Sequence, residues 1–216
     1  IAVVKYSFVL ELVMSEKVVT KLVYGLGFNS GEYPSRNGRK MTKEYDLWTN
    51  MLHRCTEKCW VKRPSYLGTT CSENFKSYSF FYQWCRRQIG FGSVDKNGMY
   101  WPLDKDLLVK GNKVYSEDTC CFVPVRINSL LTSCASARGS SFIGTSLYKL
   151  DGRYKAKCLD DGKQVFLGYH TKEIDAFNAY KNYKETLIKR VANEYKEVLD
   201  ERVYQALLNY TVEITD

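Results

Sequence analysis

The residues with the clearest potential for hydrolytic chemistry lie in the segment LDKDLLVKGNK, at positions 103–113. Asp104 and Asp106 are two residues apart, so on a β-strand their carboxylates would share one face, while Lys105 would point to the opposite face. Two carboxylates on one face repel each other unless a cation lies between them. Their hard oxygen atoms favour Mg²⁺ or Mn²⁺ over zinc. The segment therefore predicts a divalent-metal site, and a solvated charged hairpin is the alternative.

The net charge of the chain favours a polyanionic partner such as double-stranded DNA. The 216 residues include 32 Lys and Arg against 24 Asp and Glu, which gives a formal net charge of +8. Each basic side chain that contacts a phosphate releases a counterion and so adds to nucleic-acid affinity. Charge alone leaves a basic protein without such a partner equally open. The chain is long enough for one large domain or two small ones.

Eight cysteines without a convincing signal peptide indicate a chain that works in a reducing cytosol. The spacing of Cys55, Cys59, Cys71 and Cys85 lacks the paired CxxC motifs that predict a zinc site. Zinc is therefore not expected, although a structural zinc protein built on these four cysteines is retained as a third alternative.

The opening stretch IAVVKYSFVLELVM is apolar but is interrupted by Lys5 and Glu11. It is too short and too charged to span a bilayer, so no membrane partner is expected. Met14 precedes SEKVV and is a candidate start of translation. Residues 1–30 are interpreted as an N-terminal extension.

Two helices are predicted within a first module at residues 31–135. In each, apolar residues recur at spacings of three and four, which is typical of a helix with one face on a core. The stripes are Tyr45, Trp48, Leu52 and Cys55, then Phe75, Tyr78, Phe81 and Cys85. Thr70 and Glu73 form a candidate capping box for the second helix. LDKDLLV and KVYS are expected to pair as a hairpin across Gly111-Asn112, ahead of a loop and a third helix.

A basic arm is predicted between residues 24 and 43, a segment rich in Gly, Asn and Ser. It carries Arg36, Arg39 and Lys40, which are candidate phosphate contacts. Such a segment is expected to become ordered on contact with its partner.

A different pattern follows a linker of small residues at 133–141. Three strand-like runs are joined by Asp151-Gly152 and Asp161-Gly162, and Asp-Gly is a strong signal for a hairpin turn. A long helix is expected to begin near Thr171, a candidate N-cap. The fold class is therefore α+β, with a three-stranded antiparallel sheet packed on a helix in a second module at residues 142–209.

Alternation along the middle strand of this sheet separates two faces. Tyr154, Ala156 and Cys158 would face the helix, which leaves a row of cations on the open face: Arg153, Lys155 and Lys157. In the third strand, Gln164 and Phe166 would lie beside these cations. Basic, polar and aromatic side chains on one flat face suit a DNA groove, although any small sheet turns one solvated face to water.

The segment FIGTSLYKLDGRYKAKCLDDGKQVFLGYHTKEIDAFNAY resembles the Apetala-type (ethylene-response-factor) DNA-binding domain, which also occurs in phage homing endonucleases. The resemblance rests on the glycine of the first strand, aromatic-x-Ala in the second, aromatic-Leu-Gly-aromatic in the third, and the Ala-x-x-x-Tyr helix. It implies that the sheet reads the major groove. The implied contact residues are Ser146, Tyr148, Lys157, Gln164 and Phe166. Several of these positions are arginines in plant members, so the base preference does not carry over.

The runs YDLWTNMLHRC, PSYLGTTCSENFKSYSFFYQW and LDKDLLVKGNKVYSEDTCCFVPVRIN resemble phage HNH endonucleases. The resemblance implies a ββα module with flanking helices that holds one divalent metal. Asp104 falls at the metal-binding acid, Asn128 at the helix ligand, and Lys105 at the position of the general-base histidine. Asp106 is a candidate additional ligand. A protonated lysine cannot accept a proton, and the two histidines of the chain lie elsewhere.

Two functions follow from these resemblances. The first is a site-selective, homing-endonuclease-like DNA endonuclease of a phage, acting with Mg²⁺ or Mn²⁺ in the cytoplasm of an infected bacterium. The catalytic residues would be Asp104, Lys105 and Asn128, and the metal ligands Asp104, Asp106 and Asn128. The second is a non-catalytic DNA-binding protein with a degenerate HNH module.

Overall fold

The computed structural model describes residues 21–132 and 140–216, which form a mixed fold of helices and small sheets. The helices are α1 (Lys43–Arg54), α2 (Glu57–Lys62), α3 (Glu73–Lys76), α4 (Tyr78–Arg87), α5 (Val125–Leu131), α6 (Glu173–Glu194) and α7 (Glu201–Leu208). The strands are β1 (Arg36–Asn37), β2 (Lys40–Met41), β3 (Thr70–Cys71), β4 (Leu103–Asp104), β5 (Val114–Tyr115), β6 (Cys121–Phe122), β7 (Thr145–Tyr148), β8 (Arg153–Asp160) and β9 (Lys163–His170). The predicted extension at 1–30 and the linker at 133–141 lie largely outside the described residues.

The first predicted helix is confirmed as α1, and its apolar stripe forms the centre of a core. Trp48 and Leu52 are fully buried, and the indole Nε1 of Trp48 donates a hydrogen bond to the carbonyl of Phe75, 2.8 Å away. Thr42 caps the helix by accepting the N–H of Tyr45. The stripe pattern predicted this helix because both its period and its cap are encoded locally.

The second predicted helix is divided in two, and its predicted capping box is wrong. Thr70 lies in β3, and the N-cap of α3 is Ser72, whose hydroxyl accepts the N–H of Phe75. Ser77 ends α3 and caps α4 in turn, accepting the N–H of Phe80. A serine that can serve as a cap competes with helix continuation, which explains the break at this point.

The hairpin predicted across Gly111-Asn112 is not formed. The first strand ends at Asp104 because the side-chain Oδ1 of that residue accepts two backbone N–H groups further along, and this bends the chain. β4 instead pairs with β6, antiparallel, and β5 pairs with β3, parallel. Asn112 holds the intervening loop by donating from Nδ2 to the carbonyls of Lys105 and Val114, each 2.7 Å away. β4, β6 and α5 together form a ββα unit.

The three-stranded antiparallel sheet on a helix is confirmed, with order β7-β8-β9 and α6 across one face. Both Asp-Gly turns join the strands as predicted, and Asp161 and Gly162 take the positive φ values of 47° and 78° that a tight hairpin requires. The predicted N-cap at Thr171 is wrong: α6 begins at Glu173, after Lys172. The carboxylate of Glu173 instead accepts hydrogen bonds from β7 and the residues before it.

The ββα unit and the sheet are joined through Arg126 at the start of α5. Its guanidinium makes a two-pronged ion pair with Asp161, at 2.7 and 2.8 Å, in the β8–β9 turn, and also contacts Glu194 at the end of α6. One cluster of buried hydrophobic residues contains both Phe122 of β6 and Ile188 of α6. The two predicted modules are therefore packed together.

Candidate nucleic-acid interface and metal pocket

The open face of the β7-β8-β9 sheet gathers every sheet residue predicted to contact DNA. Residues directly opposite each other in antiparallel strands point to the same face. The cross-strand pairs on this face are Tyr148–Arg153, Ser146–Lys155, Lys157–Phe166 and Leu159–Gln164. The other face buries Ala156 and Cys158 under α6.

Tyr169 is a further residue of this face that alternation from Phe166 does not predict. The register shifts between Ala156 and Lys157, where the third strand has one extra residue. The bulge places Gly168, at φ 114°, opposite Ala156, and so turns Tyr169 to the open face opposite Lys155. A glycine inside a strand is a signal for such a bulge.

Three aromatic rings form a continuous row across the open face. The ring of Tyr169 lies 5.0 Å from that of Tyr148 and 5.1 Å from that of Phe166, measured between centroids. Tyr148 belongs to β7 and the other two to β9, so the row crosses the middle strand. Phe166 remains 52% exposed, which leaves an apolar surface for a partner.

The three cations of the open face differ in how far they are neutralised. Arg153 pairs with the Asp151 carboxylate at 2.6 Å and lies over the ring of Tyr169, and the hydrogen bond with Asp151 raises the pKa of the guanidinium. Lys155 lies 5.5 Å from the centroid of Phe166. Across residues 21–132 and 140–216, neither Lys155 nor Lys157 has a carboxylate partner. These two lysines therefore carry the positive charge that is available to an anion.

The predicted arm contains a short hairpin, β1 paired with β2. Arg36, Arg39 and Lys40 are exposed, and the guanidinium of Arg36 donates to the carbonyl of Arg39 across the turn. These three side chains could contact phosphates, because the hairpin already holds them together.

A pocket of about 270 Å³ brings together all the predicted catalytic and metal-binding residues. Asp104, Lys105 and Asp106 line it from the end of β4, and Asn128 lines it from α5. Although the predicted hairpin is absent, the pairing of β4 with β6 leads directly into α5 and places that helix beside the aspartates.

Asp104 is the most perturbed carboxyl of this pocket. Burial raises its pKa above the ordinary value, and the nearby Asp106 carboxylate raises it further, against two backbone hydrogen bonds that lower it. Its Oδ1 accepts the N–H groups of Asp106 and Leu107 at 2.9 and 2.7 Å. The remaining oxygen, Oδ2, has no hydrogen-bond donor among the described residues.

Lys105 lines the same pocket as the two aspartates, which corrects the prediction that alternation would turn it away. The strand ends at Asp104, so the alternation rule no longer applies at the next residue. Lys105 is 7% exposed, and its Nζ donates to Asp106 Oδ2 at 2.9 Å. The Nζ of Lys105 is thus engaged by a carboxylate, which does not favour the role of the general-base histidine.

Arg54 and Tyr115 also line the pocket, and the sequence reasoning missed both. The guanidinium of Arg54, at the end of α1, donates to the Tyr115 hydroxyl at 3.1 Å. Burial raises the pKa of Tyr115. Neither histidine lines this pocket: His53 packs on Tyr24, and His170 lies beside the carbonyl of Leu167. No spacing in the sequence relates position 54 to position 115.

The pocket offers carboxylate and amide oxygen atoms, which are the kind of ligand that a hard divalent cation prefers. Asp104 Oδ2, Asp106 Oδ1 and the Asn128 amide oxygen are the candidate ligands, and the first two accept no hydrogen bond from the described residues. In the described ranges, no three His, Cys, Asp or Glu side chains cluster in a way that could hold a metal. The four cysteines of the zinc alternative are thus not assembled there, and the cation would rest on two carboxylates and an amide.

No protein-family model matches this sequence, and no curated protein or solved structure matches it either. The resemblances to the HNH and Apetala-type families therefore stay predictions. Within the part of the chain that the structure describes, no helix is long and apolar enough to cross a membrane.

Proposed function

We propose that this protein is a site-selective DNA-binding endonuclease in which the β7-β8-β9 sheet binds duplex DNA and the Asp104 pocket hydrolyses a phosphodiester bond. The observation that supports it best is the composition of the open sheet face. Among the described residues, no carboxylate pairs with Lys155 or Lys157, and the cross-strand pairs of this face contain no Asp or Glu. Such a face is complementary in charge to a polyanion.

Duplex DNA suits this face in shape as well as charge. The major groove is about 12 Å wide and admits a β-ribbon, so a small sheet can approach base edges. Lysines at alternate positions of β8 would contact phosphates and set the register, while Gln164 and Phe166 on β9 would meet the bases. Arg36, Arg39 and Lys40 would add phosphate contacts from the arm.

The pocket supports the cutting half of the proposal. A divalent metal held there would supply stabilisation of charge on the scissile phosphate and activation of water. Asp104, Asp106 and Asn128 would hold that metal through oxygen atoms. Arg54 would orient a phosphate oxygen from the side of the pocket, since a guanidinium donates in a planar fork that matches phosphate.

The ion pair of Lys105 with Asp106 favours a second candidate, a DNA-binding protein that does not cut. The ammonium occupies one oxygen of a proposed metal ligand, and no histidine lines the pocket to act as general base. In this alternative the sheet still binds DNA, and the aspartate cluster is a feature of the loop.

Incubation of the whole protein with its host or phage genomic DNA and Mg²⁺ or Mn²⁺ separates the two candidates. The endonuclease proposal expects metal-dependent cuts at discrete sites with the wild type and none with Asp104→Ala, while both proteins bind DNA within a few fold of each other in EDTA. Binding without cuts by the wild type would leave the non-catalytic alternative. Absence of DNA binding would contradict both.

A further inference from the structure

The open face of the sheet carries aromatic rings and an exposed amide, which are groups that can contact base edges. Phe166, Tyr169 and Tyr148 form its aromatic row, and Gln164 lies two residues from Phe166 on the same strand and face. Gln164 is exposed, and its amide makes no hydrogen bond to any described residue. The amide is therefore available to a ligand.

Asp151 competes with guanine for the guanidinium on this face. Arginine usually reads guanine by donating two hydrogen bonds to O6 and N7. Arg153 already directs Nε and Nη2 at the Asp151 carboxylate, at 2.8 and 2.6 Å, and stacks on Tyr169. With Nε and Nη2 of Arg153 held by Asp151, and Lys155 and Lys157 facing phosphates, the base-reading groups of β9 are the Gln164 amide and the aromatic rings.

Those two groups match the two halves of an A·T pair. A Gln amide can donate to N7 and accept from the N6 amino group of adenine, and an aromatic ring can pack on the 5-methyl group of thymine. Cytosine and guanine present no methyl group to the major groove. Burying one methyl group against an aromatic ring favours a thymine-containing site by about fourfold.

We propose that this face reads A·T pairs in the major groove, with Phe166 and Tyr169 packing on thymine methyl groups and Gln164 binding adenine. The proposal rests on the proposed DNA binding by the sheet and adds the base class that is read. Tyr148 of β7 contacts Tyr169 across the middle strand, and the bulge at Gly168 is what brings Tyr169 into the row.

Replacement of thymine by deoxyuridine isolates the methyl contact, because the two bases pair identically and differ only at the 5-methyl group. The full chain would first select a bound sequence from a random duplex pool. That duplex would then be made with deoxyuridine at each thymine in turn, and the affinities compared. We expect the selected site to be rich in A·T pairs and each contacted methyl to be worth about fourfold in affinity.

Variants of Phe166 and Tyr169 test whether these rings cause the affinity difference between thymine and deoxyuridine duplexes. Phe166→Ala and Tyr169→Ala should each lose the difference between thymine and deoxyuridine at the position that the missing ring contacts. Leu150→Ala removes an 83%-exposed leucine from the adjacent turn and should keep the full difference. Equal wild-type affinity for the two duplexes, or a selected site without thymine, would overturn the inference and leave DNA binding intact. Failure to select any duplex would overturn the DNA-binding proposal as well.

Discussion

The Nζ of Lys105 lies 2.9 Å from Oδ2 of Asp106, inside a bend that starts immediately after the strand residue Asp104. The chain thereby supplies its own cation to a pair of carboxylates that would otherwise repel each other. A monovalent ammonium and a divalent metal would compete for the same oxygen. The strength of metal binding in this pocket therefore depends on Lys105.

Lys105→Met is expected to tighten binding of Mn²⁺ to the pocket severalfold. Methionine keeps most of the buried aliphatic volume but removes the positive charge, so Asp106 becomes free for the metal. Titration of Mn²⁺ followed by its paramagnetic signal measures the change. Lys58→Met, which removes an exposed lysine of α2 away from the pocket, is the control and should leave Mn²⁺ affinity unchanged. Equal Mn²⁺ affinity in wild type and Lys105→Met would contradict the metal assignment.

Asp104→Asn is expected to raise the melting temperature at pH 7 by roughly a few degrees while abolishing DNA cleavage. Burial and Asp106 raise the pKa of Asp104. A carboxyl group whose pKa is raised in the folded state contributes stability at pH values below its unfolded-state pKa. This contribution is lost as the pH rises through the folded-state pKa. At neutral pH, which is above the unfolded-state pKa, the Asp104 carboxyl therefore costs stability. Asparagine keeps an oxygen that accepts the two backbone N–H groups and carries no charge.

The pH dependence supplies the check on this variant. The advantage of Asp104→Asn in thermal melts should shrink as the pH falls from the raised folded-state pKa of Asp104 toward about 3.9, and it should be lost below that value, where Asp104 is protonated in the folded and unfolded wild type alike. Asp95→Asn, in an exposed turn where the carboxylate also accepts backbone N–H groups, is a matched control. If Asp104→Asn were instead less stable than the wild type at pH 7, the surroundings of Asp104 would stabilise its carboxylate, which would contradict this prediction.

Asp151→Asn is expected to increase DNA affinity by a few fold. Asp151 neutralises Arg153 and places a negative charge beside the proposed interface, where it repels phosphates. The asparagine side chain can still accept the N–H of Arg153, so the β7–β8 turn is preserved. Affinity measured at two salt concentrations tests this, and the gain should be larger at low salt. An unchanged or weaker affinity would place Arg153 and its turn away from the DNA.

Residue spacing and turn chemistry predicted the elements of this fold that depend only on neighbouring residues. The helix α1 and the two Asp-Gly hairpins depend on neighbouring residues, and their positions were predicted from spacing and turn chemistry. The parallel pairing of β3 with β5 joins residues more than forty positions apart, and no period in the sequence indicates it. The loop after Asp104 was misread because a strand was extended through a bend.

The candidate site also contains residues that local patterns predict and residues that only the tertiary fold brings together. The cations of β8 were placed by alternation, which holds in an unbroken strand, whereas Tyr169 was missed because the bulge at Gly168 resets the alternation. Arg54 belongs to the pocket only through tertiary packing against Tyr115, so sequence spacing could not reveal it. Asn128 was placed by family resemblance, and it does line the pocket with the aspartates.

The salt dependence of duplex DNA binding tests the central claim, that the open sheet face is the DNA-binding surface. Lys155→Gln and Lys157→Gln remove the two lysines of the open face, and Lys189→Gln removes an exposed lysine from α6, which covers the opposite face. Each lost phosphate contact lowers the slope of log affinity against log salt by about 0.9. We predict that the double variant Lys155→Gln, Lys157→Gln loses about two units of slope, with Lys189→Gln unchanged. Equal slopes for the wild type and the double variant, with both folded, would contradict the claim.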